Sequence, residues 1–129
     1  MNVALWTVQV LLAVLFLLHG GLYLFPPAEV LDQLNAFIPT WLRLFIGVAE
    51  VAAAVGLVLP SAARVLPKLT PAAAAGLMIV MLSACGLHAT RGEVGSAVIT
   101  AVLFALSAFV AYGRWKLQPI SSRAEAQVL

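Results

Sequence analysis

The chain has 129 residues, of which 64% are hydrophobic and only 9% charged. A soluble domain carries about 25% charged residues, and so short a chain cannot bury this much apolar surface within itself. A mean hydropathy of +1.08 therefore makes lipid the solvent for most of it. The net charge of +2 comes from Lys and Arg scattered at predicted helix ends. No basic stripe interleaved with aromatics marks a nucleic-acid surface, so no nucleic-acid partner is expected.

Four apolar segments are predicted to cross the bilayer as α-helices, at about 3–25, 41–59, 71–89 and 94–113. Each approaches the ~20 residues that ~30 Å of hydrocarbon requires. The lengths and the absence of strict alternation favour helices over a barrel. The first segment lacks a basic leader region and an A-x-A-like cleavage site, and reads as a retained span. Pro26-Pro27 ends it, because neither residue supplies a backbone donor. Val30, Leu31, Leu34, Phe37 and Ile38 then recur at helical spacing among Glu29, Asp32 and Asn35. That spacing predicts a short amphipathic helix lying on the outer membrane surface, the alternative being a plain connector packed on the bundle. Thr70-Pro71 is expected to supply the N-cap and first position of the third span.

The fold class is thus all-α: a membrane four-helix bundle with a short amphipathic helix in the first loop. Residues 1–118 form one transmembrane domain, and 119–129 are expected to be a disordered cytoplasmic tail. Arg64 and Lys68 in the second loop, and Arg114, Lys116 and Arg123 beyond the fourth span, share one side. Arg43 and Arg91 lie on the other side, with Glu29 and Asp32. The positive-inside bias places both termini in the cytoplasm.

The candidate site consists of polar groups inside the apolar spans, since an ionisable side chain at mid-membrane costs at least ~2.5–3.5 kcal/mol. Glu50 lies ~14 Å into the second span. It is read either as a structural hydrogen-bonded carboxylate or as a proton-carrying or ligand-binding one. Arg43 sits seven residues earlier on the same face. His19 and Tyr23 share a face of the first helix near its outer end. His88, Arg91 and Glu93 close the third. Glu50, Arg43, His19, Tyr23, His88, Arg91 and Glu93 all map to the outer half, with little beyond Thr7, Gln9 and some hydroxyls in the inner half. That asymmetry predicts a polar cavity opening outward beneath the first loop. Cys85 and His88 stand one turn apart, but without a further ligand at suitable spacing no metal site is expected. The single cysteine excludes dithiol–disulfide chemistry within one chain. Ala49, Ala52, Ala53 and Gly56 give small-residue spacing suited to close helix packing. A homo-oligomer is one use of such a face.

The chain resembles the DoxX-like family of small four-helix membrane proteins. The likeness rests on Arg43-x-x-Gly47-x-x-Glu50, Gly56-Leu-Val-Leu-Pro60, Pro67-Lys-Leu-Thr-Pro71 with Gly76-Leu, His88-x-x-Arg91-Gly-Glu93, and Phe109-Val-Ala-Tyr-Gly-Arg114. Family members often carry Gly-Gly-x-Lys near the end of the first helix, where this chain has Gly20-Gly21-Leu22-Tyr23. The resemblance implies an association with quinone-linked sulfur oxidation and membrane redox or oxidative-stress functions, in a bacterial inner membrane. The expected role is an accessory subunit of an oxidoreductase system, working with membrane or peripheral redox proteins. A quinone-like amphipathic molecule is the candidate ligand, and no catalytic residue is assigned. The alternative reading is a small proton-coupled transporter built on Glu50.

Overall fold

A computed structural model describes residues 1–128. Four long helices form the bundle: α1 (Asn2–Leu24), α3 (Thr40–Ala63), α4 (Leu69–Thr90) and α5 (Val94–Tyr112). A short helix, α2 (Ala28–Phe37), follows the Pro26-Pro27 break. One π-helical turn, Gly113–Leu117, extends α5, and a helical turn, α6 (Arg123–Ala126), lies near the end of the chain. All four long helices have the length and hydropathy to cross a membrane, and only 17–28% of their most apolar windows is buried inside the bundle. The apolar remainder, such as Leu18 at 70% and Leu82 at 63% exposure, must face acyl chains.

The helices assemble as two close pairs, α1 with α3 and α4 with α5, joined chiefly along α3 and α4. Leu12, Phe16, Ala54, Leu57, Ala74, Leu77, Met81 and Val110 form the buried core between the pairs. Glycines set the closest approaches. A Cβ at Gly56 would lie 2.8 Å from the Cβ of Ala73, so α3 and α4 touch there only because that atom is absent. The start of α1, the α3–α4 loop and the end of α5 meet at one end of the bundle, the terminal end. There Asn2 and Arg114 are hydrogen-bonded. The loop end carries α2 and the α4–α5 turn.

Two boundaries differ from expectation for the same reason. Helix α3 does not stop at Leu59 but runs through Pro60 to Ala63. Pro60 has no N–H to give to the Gly56 carbonyl four residues back. The hydroxyl of Thr70 replaces that donor, bonding Gly56 O at 3.1 Å, and shares a second hydrogen bond of 2.7 Å with Ser61 Oγ. Thr70 is thus fully buried inside α4, which begins at Leu69, rather than serving as its N-cap. In lipid a freed carbonyl needs a protein partner, and a neighbouring helix supplies one here.

Within the tail expected to be disordered, Ser122 caps α6. Its hydroxyl accepts from the Glu125 amide, and the Glu125 carboxylate accepts from the Ser122 amide. The Arg123 amide donates to Arg64 O at 3.0 Å, which ties this turn to the α3–α4 loop.

Candidate functional site

On α1, His19 and Tyr23 are one turn apart, and their rings stack with centroids 4.5 Å apart. Gly20 follows His19 and meets Gly47 of α3 at a backbone-to-backbone approach. A Cβ on Gly20 would fall 2.9 Å from Gly47 O and 3.0 Å from Glu50 Cβ. Two glycines, one per helix, bring the helices close enough for the neighbouring polar side chains to meet. His19 Nδ1 lies 2.6 Å from Glu50 Oε2. The Glu50 side chain is 1% exposed, whereas that of His19 is 45% exposed. The carboxylate is therefore buried, paired, and connected to the surroundings through an imidazole whose second nitrogen has no hydrogen-bond partner among the described residues.

Arg43 does not reach Glu50. Its guanidinium donates to the carbonyl of Tyr23, one of the last carbonyls of α1 that no intrahelical amide satisfies. A cation there also complements the negative end of the helix dipole. Arg43 is buried, with its Nε unpartnered, and acts as a clamp across the ends of α1 and α3.

The other polar cluster lies at the α4–α5 turn. His88 Nδ1 is 2.5 Å from Glu93 Oε2. Arg91 lies over the Phe37 ring at 3.9 Å and donates to Phe37 O at 2.9 Å, fastening the end of α2 to the end of α4. Cys85 Sγ donates to Ala97 O at 3.4 Å, a contact between the paired helices α4 and α5.

Between the two helix pairs, in the half of the bundle toward α2, is a cavity of about 740 Å³. His19, Tyr23 and Glu50 lie on one wall and His88 on the other, with Ser96 and Thr100 beside it. Ile38, Phe45, Leu87 and Leu103 are among its apolar lining. Of the seven residues expected to share a site, four line this space. Arg43, Arg91 and Glu93 instead brace its margins. The volume falls in the range of small-molecule sites, ~300–1,000 Å³, and the mix of apolar walls with a few convergent polar groups suits an amphipathic ligand.

The terminal half is not polar-poor, contrary to the expectation from sequence. Arg114, counted among the basic residues beyond the fourth span, is 4% exposed. Its Nε donates to Gln9 Oε1 at 2.5 Å and its Nη1 to Asn2 Oδ1 at 2.7 Å. Gln9 in turn donates to Leu57 O at 2.7 Å. Three helices are linked by this one chain of bonds. The signal was Gln9 itself: an amide two turns inside an apolar helix needs a partner.

A bundle of four apolar helices, with a buried carboxylate–imidazole pair beside an internal cavity, defines a small multi-pass integral membrane protein. The model of the DoxX-like family matches residues 7–110, and the chain belongs to that family. No curated protein and no solved structure matches it. The matched region contains the Arg43-x-x-Gly47-x-x-Glu50 element and both histidines, and ends before Arg114.

Proposed function

We propose that the protein is an accessory subunit of a membrane redox system that holds a quinone-like amphipathic molecule in the cavity between its helix pairs. One observation carries this reading: the His19–Glu50 pair at 2.6 Å opens onto a largely apolar space of about 740 Å³. A quinone presents two carbonyl oxygens on a flat ring with a lipid-soluble tail. The ring fits between apolar walls, and the tail leaves between helices into the bilayer. The imidazole of His19 is placed to donate a hydrogen bond or a proton toward one oxygen while Glu50 holds the ring orientation and balances its charge. His88, anchored by Glu93, faces the same space from α4 and is placed to serve the second oxygen. Redox partner proteins supply and remove the electrons in this reading. The proposed location is a bacterial inner membrane with both termini in the cytoplasm, following the placement of Arg64, Lys68, Lys116 and Arg123.

A proton-coupled transporter is supported less well. Alternating access needs a path from the site to the opposite face. Below Glu50 the bundle is closed by Leu12, Leu57, Leu77 and Phe16, none more than 2% exposed.

Equilibrium titration of the detergent-purified chain with decyl-ubiquinone and a short-tailed menaquinone tests the proposal. Saturable binding is expected for the wild type. Glu50→Gln keeps the shape and removes the charge, and is expected to weaken binding about 10- to 100-fold, the range of a charge-assisted hydrogen bond. Arg123→Gln, remote from the cavity, leaves it unchanged. Wild-type protein that binds neither quinone, or Glu50→Gln that binds as tightly, overturns the proposal. Quinone-independent, proton-linked uptake of a solute into vesicles would favour the transporter instead.

A further inference from the structure

A second cavity, of about 730 Å³, lies at the terminal end of the bundle, far from His19 and Glu50 in the fold. Lys68 from the α3–α4 loop and Arg114 from the π-helical turn line it, with Pro71 and Trp115 on its walls. Leu66 and Trp115, at 67% and 60% exposure, belong to the same lining and present apolar surface to the outside.

Arg114 is not fully used by its own network. Nε and Nη1 are bonded, Nη1 also reaching Gln118 O at 3.2 Å, but the buried Nη2 has no acceptor. A guanidinium has five N–H donors in a fixed fork, and a nitrogen buried without a partner is costly. At this π-helical turn Gly113 packs directly on the Leu5 side chain, leaving no room for a Cβ. That packing leaves the guanidinium held in place beside the cavity. The acidic group of the lining, Glu125, accepts from the Ser122 amide at 2.8 Å and also feels the charge of Lys68. The Ser122 amide, followed by the Ser122 hydroxyl, holds its carboxyl below the ordinary value, with Lys68 adding to the effect.

We infer that this cavity binds the phosphate of an anionic phospholipid from the leaflet at the terminal end, with Arg114 and Lys68 as the phosphate ligands. Two cations of different type, one fixed fork and one flexible ammonium, suit a phosphate oxygen pair. The exposed apolar rim of Leu66 and Trp115 continues into the acyl region, which assigns the phosphate to a lipid rather than to a free ion. Basic pockets between helices at the membrane boundary are a known physical solution for anionic headgroups.

The test uses the delipidated full chain in detergent, titrated with phosphatidylglycerol, with phosphatidylcholine of the same acyl chains, and with soluble glycerol phosphate. Native mass spectrometry counts the bound molecules. One phosphatidylglycerol is expected to be retained with clear preference over phosphatidylcholine and without competition from glycerol phosphate. Lys68→Gln, which leaves the Arg114 network intact, is expected to weaken that binding about fivefold, as loss of one interfacial cation does. Lys116→Gln, outside the cavity, is expected to leave it unchanged. Equal binding of both lipids, equal weakening by Lys116→Gln, or an unaffected Lys68→Gln each overturns the inference. Binding of glycerol phosphate as tight as that of the lipid overturns the assignment to phospholipid.

Discussion

Arg114→Ala is expected to cost the folded bundle about 1–3 kcal/mol, the penalty for leaving a buried polar group without its partner. Arg114 donates to Gln9, Asn2 and Gln118, and its guanidinium lies 5.1 Å from the centre of the Trp6 ring. Truncation strips donors from three acceptors at once. Gln9 suffers most, because it is completely buried and has no water to turn to. Thermal unfolding in detergent micelles measures the loss. Arg114→Lys keeps the charge but not the fork, and is expected to recover only part of it. The double variant Arg114→Ala with Gln9→Leu is expected to be less destabilised than the sum of the single changes, because the orphaned amide disappears with its donor. A midpoint for Arg114→Ala indistinguishable from wild type would show that the network carries no net stability.

The membrane helices were legible in the sequence because a span is a compositional fact: ~20 apolar residues need no partner to be recognised. The short helix α2 was equally visible through its spacing. What pairs with what was not visible. Arg43 and Glu50 lie on one face seven residues apart, ~10 Å along the helix, too far for a tight pair unless Arg43 reaches down. The structure sends Arg43 to the end of α1 and gives Glu50 to His19, a residue 31 positions away. Contacts of that range depend on how closely helices approach. The glycines that set the approach, Gly20 and Gly47, resemble in sequence those that set nothing, such as Gly21 and Gly76. The burial of Arg114 was not visible for a related reason. Terminal arginines usually extend to the interface, whereas this one, on the π-helical turn at Gly113–Leu117, is buried and bonded to Gln9. Thr70 was assigned to a cap by its position before Pro71, but the vacancy left by Pro60 in the helix opposite recruited its hydroxyl instead.

Gly20→Val tests whether the site and the fold share one cause. The added side chain enters a space where even a Cβ would meet Gly47 O at 2.9 Å and Val51 Cγ2 at 3.0 Å. A backbone carbonyl cannot rotate away as a side chain can, so α1 and α3 must separate. Overpacking of this kind typically costs about 1–3 kcal/mol. Separation also lengthens the 2.6 Å contact between His19 and Glu50, leaving a carboxylate that is 1% exposed without its partner. An unpaired acid inside the membrane adds its own cost, so the total is expected to reach or exceed the upper end of that range. Gly21→Val makes the same chemical change one residue on, where nothing lies within 4 Å of the new Cβ. It is expected to leave thermal stability, the ¹⁵N signature of the His19 Nδ1 hydrogen bond, and quinone binding close to wild type. Gly20→Val is expected to lose all three together. Loss of stability with the imidazole signal intact would separate the helix crossing from the ionisable pair and would show that the two glycines serve packing alone.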